Sequence, residues 1–445
     1  MAFDPSSLTP VETKKVETRY RRISTPIPVP ESIGPIQRLR AVEPKSAHGM
    51  PPVLWHQAEG FLIRDPYGNQ WIDLTSGIVV ANVGHAHPKI IKAIKEQIES
   101  PLLFTYIFSS DVRSRLLERL AKLAPVELDK AAVFCSGSEA NECAISLMRQ
   151  HGLTISPDKI GILSMEESFH GHTLATGFTM GAPGLVDGIK REAAFHTQIP
   201  RPDSNRSRGF LEDLETLKVN PDKIAGIILE SITGWATKPY PQEYIESIMK
   251  WAREHQVLVT MDEVQAGMGR SGRLFAFEHY GIVPDLITCG KGLSSSLPVS
   301  AVKGRSALMD LPGTSMTSTF GGNPVCAAAA LACLNVIEDE NLVERSMNLG
   351  EKLGKELEAI ADRHRPYINW VDGRGLFRSI HIKDPVTGEQ VPDLVNEMTM
   401  ECIRRGVMLF HTARFFKIVP PLIIEEDALF EAIGVISDVF DDYLK

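Results

Sequence analysis

Asp262 and Lys291 are the residues of this chain whose types and surroundings promise chemistry. An apolar run from Val257 to Met261 leads into Asp262-Glu263, and a second, Leu286 to Cys289, leads into Gly290-Lys291-Gly292. Short apolar runs bounded by glycine and charge read as buried strands. Parallel strands joined by a crossover release their C-terminal ends on one edge of a sheet, where open α/β folds place ligands. One acid and one lysine therefore arrive at one crevice. Lysines beside carboxylates also form salt bridges on many surfaces, so the pair by itself leaves both readings open.

The chemical reading is specific. Pyridoxal 5'-phosphate needs a lysine amine for a Schiff base with its aldehyde, and a carboxylate to keep its pyridine nitrogen protonated as an electron sink. It also needs an anion site. Ala131 to Cys135 reads as a buried strand, and Ser136-Gly-Ser-Glu-Ala-Asn-Glu142 after it starts a helix reaching to about His151. Small residues at a helix N-terminus expose backbone amides to a phosphate. Ser136 and Glu139 equally fit a capping box, which any helix can use.

The elements around these residues alternate. Strands are expected at 160–165, 225–230 and 299–302, and a helix at 242–254. That is the rhythm of a doubly wound, mostly parallel sheet, an α/β fold. A polar loop, Thr317-Ser-Thr-Phe-Gly-Gly-Asn-Pro324, precedes a long helical region from about Pro324 to Arg363, bent near 338–341. Strands around 369–382, 407–411 and 415–419, with helices at 392–405 and 425–444, predict a smaller α+β domain. At the other end, residues 1 to about 45 are polar and proline-bearing and read as an arm. Residues 53–74 hold two or three short strands with a turn at 65–68. Pro88 opens an amphipathic helix with Ile90, Ile91, Ala93, Ile94 and Ile98 on its apolar side. The expected division is an arm at 1–45, a lead-in of the small domain at 46–100, a large domain at 101–330 and the C-terminal small domain at 331–445.

Bulk properties exclude several classes. At 445 residues the chain is too long for a single core. A net charge of −9 without a basic block argues against nucleic acid as the main partner. The apolar runs are strand-sized, so no membrane span and no secretory signal are expected. Six scattered cysteines without Cys-x-x-Cys spacing fit free thiols in a reducing cytoplasm. Two His-x-His pairs, His85/His87 and His170/His172, lack a third ligand at a recognisable spacing, so no metal site is expected.

Assembled, the sequence resembles the class III aminotransferases, the 4-aminobutyrate and ornithine aminotransferase group of fold-type I pyridoxal-phosphate enzymes. The resemblance covers nearly the whole chain after about residue 45. Its motifs are GHAHP at 84–88, SGSEANE at 136–142, FHG at 169–171, DEVQ at 262–265, GKGL at 290–293 and STFGGNP at 318–324. The resemblance implies a large domain with a seven-stranded type of sheet and a transaminase working in two half-reactions. It makes Lys291 the Schiff-base lysine and proton shuttle, with Asp262 on the pyridine nitrogen and Gln265 on the ring hydroxyl. Phe169 stacks on the ring, and Gly137 and Ser138 hold the phosphate. Thr319 reaches the phosphate of the other subunit, which implies a homodimer with shared sites. Ile78 and Glu230 line the substrate pocket.

The chain departs from that pattern where substrate is concerned. Lys417 stands three residues before Pro420-Pro-Leu, where relatives carry an arginine, and lysine is a point charge rather than a bidentate fork. Arg414 is the other cation of this segment, and three residues along a strand place the two on opposite faces unless a bulge intervenes. Lys417 is the expected ligand of an anionic substrate group. Ser231 replaces the usual proline after Glu230, and Ser294-Ser-Ser296 replaces glycines after the lysine. These hydroxyls suit either a solvated loop or a phosphonate-type ligand. Lyases of phosphorylated or phosphonate amines and amino-acid racemases resemble the same family, and they remain alternatives to amino transfer.

Overall fold

The structure is a computed structural model that describes residues 7–48, 51–180, 196–202, 209–313, 317–410, 412 and 414–445. It divides into two compact units, one of residues 88–343 and one of residues 1–87 with 344–445. The boundaries thus fall at His87/Pro88 and Val343/Glu344 rather than at 100/101 and 330/331. The reason is packing: the Pro88–Glu99 helix lies against the Pro324–Asp339 helix within the larger unit.

The larger unit is built on seven strands. Their order across the sheet is Lys130–Phe134, Ser300–Gly304, Leu286–Cys289, Leu258–Asp262, Ile224–Glu230, Gly161–Met165 and His196–Ile199. Ser300–Gly304 runs antiparallel to both neighbours, and the other pairings are parallel. Every residue of Ile224–Glu230 is buried, as expected of a strand covered on both faces. Register puts Asp262 opposite Glu230 on one side and Thr288 on the other. Helix Gly137–Ile155 covers the sheet through Ala140, Ala144, Leu147 and Met148, which pack on Ala225, Ile228 and Leu286. That packing is close enough to demand glycine at two points. A Cβ on Gly152 would lie 1.9 Å from the Lys159 carbonyl oxygen, and one on Gly226 would lie 2.1 Å from Met148 Sδ.

In the smaller unit, Gln70–Asp73 pairs with Leu62–Arg64, Arg22–Ile23 and, in parallel, Val407–Met408. Residues 16–29, read from sequence as part of an arm, are instead built into this unit. Ile23, Ile27 and Val29 bury beside Ile63 and Trp71, which outweighs the local abundance of proline. The turn at 65–68 is an Asx turn, with Asp65 Oδ1 accepting from the amides of Tyr67 and Asn69, each at 2.9 Å. Ile368–Arg374, Phe377–Ile382 and Phe415–Ile418 form an antiparallel sheet of their own. His411, the end of an expected strand, lies outside the described residues, and that strand is confined to Val407–Met408. The long helical region breaks at Glu340–Asn341, where Asn341 takes a left-handed φ of 54°. On the Pro88–Glu99 helix the apolar side is only partly covered: Ile90 is buried, whereas Ile91 and Ile98 are exposed.

Gly152→Ala should force the helix away from the Lys159 carbonyl, in the connection that leads to the next strand. A loss of about 1–3 kcal/mol is expected for such overpacking, read as a lower urea midpoint with an unchanged slope.

Candidate active site

The exits of strands Gly161–Met165, Leu258–Asp262 and Leu286–Cys289 and the start of one helix make a cleft in the larger unit, lined by Gly137, Ser138, Asn141, Phe169, His170, Gly171, Asp262, Val264, Gln265 and Lys291. Asp262 is 3% exposed. Its Oδ2 accepts from Asn141 Nδ2 and lies against His170 Nδ1, both at 2.8 Å, and its Oδ1 accepts from the Val264 amide at 2.9 Å. The proton of the His170 ring therefore belongs on Nδ1, and its buried Nε2 has no partner among the described residues. Asn141 is oriented in turn by Thr288, whose hydroxyl donates to Asn141 Oδ1 at 2.6 Å. The sequence does not single out Asn141 or His170 for this role, although both lie inside family motifs. Their partner is remote in the chain, and only the strand order brings it near.

Lys291 follows its strand in a short 3₁₀ turn and carries a left-handed φ of 40°. For a lysine that conformation costs about 1–2 kcal/mol. The turn is held by the Leu293 amide on the Gly290 carbonyl at 2.8 Å and by Cys333 Sγ on the Gly292 carbonyl at 3.2 Å. Burial pushes the Lys291 amine below the ordinary lysine range, and the nearby Asp262 and Glu230 partly oppose that shift. Helix Gly137–Ile155 does begin with a capping box: the Glu139 amide donates to Ser136 Oγ at 3.2 Å, and the Ser136 amide donates to Glu139 Oε2 at 2.8 Å. Capping consumes the Glu139 amide and leaves those of Gly137 and Ser138 without an intrahelical acceptor. The cap thus leaves the helix end open to an anion.

Glu230 stands at the flank of the cleft, 3% exposed. It accepts from the amides of Phe169 at 3.1 Å and Gly234 at 2.9 Å, and from Gln265 Nε2 at 3.4 Å. Burial raises its pKa to about 7. The serines that depart from the family pattern prove to be structural. Ser231 is buried and donates to Glu263, while its carbonyl accepts from Tyr280 Oη at 2.8 Å. Ser294 Oγ donates to the Leu297 carbonyl, and Ser295 Oγ lies 3.3 Å from Cys333 Sγ. Only Ser296 of the three is exposed.

The remaining expected residues lie elsewhere. Thr319 is exposed and outside the cleft lining. Ile78, Lys417 and Arg414 belong to the smaller unit. Lys417 is 5% exposed, with Nζ 5.0 Å from the Phe377 ring centroid, and Arg414 is half-buried. Ile78 is 48% exposed in a run of left-handed residues, Ser76 to Val79. Asp73 anchors that run by accepting from the Thr75 amide and hydroxyl, and Ser76 Oγ ties it to the Val419 carbonyl at 2.6 Å.

A buried amine, a buried carboxylate with three hydrogen bonds and free helix-end amides suit pyridoxal phosphate. Space is kept for it by Gly171, whose φ is 132° and whose Cβ would lie 2.2 Å from Ser138 Oγ. Among known proteins, the family described as Aminotransferase class-III matches residues 44–440. The chain belongs to the class-III aminotransferases. It is 33% identical over 426 residues to the leucine/methionine racemase of Thermococcus litoralis, covering 92% of this chain and 95% of that one. It is 35% identical over 392 residues to ornithine aminotransferase 1 of Staphylococcus aureus, covering 86% and 93%. An ornithine aminotransferase structure from Toxoplasma gondii, with pyridoxal phosphate partly occupying its active site, superposes with a TM-score of 0.82. That structure is 26% identical, and the match covers 94% of this chain and 96% of the other. This class-III aminotransferase is a fold-type I enzyme whose cofactor is pyridoxal 5'-phosphate, and it moves an amino group from an amino acid or ω-amine to a 2-oxo acid.

Its buried acids carry a pH signature. Glu230 and Glu263 both have carboxyl pKa values raised by burial from 4.5 to about 7. The folded aminotransferase then binds more protons than the unfolded chain across that window, so stability falls as pH rises through it. The urea midpoint of the cofactor-free protein is expected to drop between about pH 5 and pH 7.5, and Glu263→Gln should flatten the drop.

Proposed function

We propose that amino transfer takes place at Lys291, in two half-reactions on a site completed by a second copy of the chain. When bound, the cofactor supplies the electron sink that makes the donor's C–H bond acidic. Lys291 Nζ would take that proton and give it back. The lowered pKa of its buried amine supports this role, because only a neutral amine accepts a proton. Asp262 keeps the ring nitrogen protonated, and the hydrogen bonds from His170, Asn141 and Val264 hold its carboxylate for that task. Gln265 addresses the ring hydroxyl, Phe169 covers the ring, and the amides of Gly137 and Ser138 hold the phosphate at the helix end. The observation that carries the reading is the convergence of the Lys291 amine and the Asp262 carboxylate in one lined cleft.

On the substrate side, Lys417, Ile78 and Glu230 are each proposed as substrate-binding residues, Lys417 for an anionic group, as the family resemblance implies. An exposed apolar stretch supports the homodimer. Leu103, Phe104, Ile107, Phe108 and Phe320 are each at least 49% exposed, and the Phe104 and Phe320 rings meet at 5.4 Å beside Thr319. Clusters of large apolar side chains on a surface mark association sites. A second copy covering this patch would bring Thr319 to the partner's phosphate site. A cytoplasmic location is supported by six free cysteines. No helix among the described residues is long and apolar enough to cross a membrane.

Lys291→Ala should abolish turnover and the long-wavelength cofactor absorbance while leaving a folded protein; appreciable transfer in that variant would refute the role. Stoichiometric conversion of donor to its 2-oxo acid separates transfer from racemisation, which the racemase relative makes the natural rival: loss of optical rotation without 2-oxo acid would decide for it. Phe108→Asp with Phe320→Asp should give monomers in sedimentation equilibrium and weaken cofactor retention.

A further inference from the structure

Trp235 stands at the flank of the cleft, and the reaction described above gives it no role. It occupies the tip of a tight turn that follows Glu230. An Ile232–Pro239 bridge closes the turn, the Thr233 amide donates to the Lys238 carbonyl at 3.2 Å, and the Gly234 amide is tied to Glu230. The indole is half-buried. Its ring meets Phe169, a wall of the cleft, edge-on at 6.5 Å and 82°, and His172 meets the same Phe169 ring at 5.1 Å and 77°. A rigid turn thus presents a large aromatic surface next to the ring that covers the cofactor site.

We propose that Trp235 is a specificity-determining residue that selects amine donors with an apolar side chain. The inference rests on the reading that donors react at Lys291. A donor held there has to place its side chain past the open edge of Phe169, where Trp235 supplies apolar area. The charged group tied to both sides of this edge, through the amides of Phe169 and Gly234, is an acid, Glu230. A side chain ending in a carboxylate is therefore repelled and loses its hydration without a partner. A terminal ammonium finds Glu230 already engaged by the amides of Phe169 and Gly234. An apolar chain loses nothing and buries area against the indole.

The test uses the holoenzyme with one 2-oxo acid acceptor and five donors: L-alanine, L-leucine, L-phenylalanine, L-ornithine and 4-aminobutyrate. Leucine and phenylalanine are expected to exceed ornithine and 4-aminobutyrate in kcat/KM by about tenfold or more. Trp235→Ala should lower kcat/KM for leucine and phenylalanine about tenfold and leave alanine within about twofold, whereas Trp235→Phe should keep most of the preference. A second readout needs no turnover: the shift in cofactor absorbance on titration with unreactive 3-phenylpropionate against glutarate. The wild type should bind the phenyl acid more tightly, and Trp235→Ala should erase the difference. A wild type that prefers ornithine or 4-aminobutyrate, or a Trp235→Ala variant with unchanged donor ratios, overturns the assignment of Trp235. Failure of every donor, alanine included, to yield a 2-oxo acid would instead overturn the amino-transfer reading on which it rests.

Discussion

A carboxylate buried to 3% exposure is costly unless hydrogen bonds replace the water it has lost, and at Asp262 three do so. Each donor comes from a different part of the large unit. Asn141 comes from helix Gly137–Ile155, His170 from the segment after strand Gly161–Met165, and Val264 from the turn that Asp262 itself begins. Their convergence requires that the strands lie in this order and that Asp262 sit in register between Glu230 and Thr288. A slip of one residue would turn Asp262 to the other face, exchange it with Glu263, and leave two acids unsatisfied.

The lysine depends on the same frame. Its strand ends at Cys289, and the chain then turns through a left-handed Lys291 that no unconstrained peptide would favour. Hydrogen bonds within the turn and the thiol of Cys333, on the Pro324–Asp339 helix, hold that conformation. Backbone strain retained at one residue and offset by its surroundings is the usual mark of a preorganised site. Burial then does the electrostatic part, favouring the neutral amine over the ammonium that water would stabilise.

Much of this frame is legible in the order of the amino acids alone. Apolar runs ending in charged or small residues locate Asp262, Lys291 and the Gly137 helix start, because a strand, its exit turn and a helix cap are local features. What escapes the sequence is non-local. Nothing near His170 announces that its ring meets Asp262, 92 residues away. The serines after Glu230 and Lys291 read as candidate ligands because their polarity is visible in sequence, whereas their partners, Glu263 and Cys333, are supplied by packing. The N-terminal stretch misleads for the converse reason: prolines mark it as irregular, yet a few isoleucines suffice to bury it in a sheet. Left-handed backbone at Ile78 and Val79 is invisible to pattern altogether, since β-branched residues argue against it.

The four residues Asp262 to Gln265 show how chemistry and architecture share one short segment. Strand alternation points Asp262 into the cleft and Glu263 away from it. Glu263 accepts from the Ala276 and Phe277 amides at 2.8 and 2.9 Å and from the Ser231 hydroxyl, so it caps the 3₁₀ turn Ala276–Tyr280 and joins two strand ends. Val264 packs so closely on Gly137 that a Cβ there would lie 2.9 Å from its Cγ1, which keeps the helix end against the acid. Gln265 reaches back to Glu230. Asp262 and Gln265 thus border the cleft, and the two residues between them, Glu263 and Val264, fix the distances between the elements around it. Substitutions at Glu263 or Val264 would accordingly disturb the reaction without touching a reacting atom, by letting the acid, the helix end and the Glu230 strand move independently.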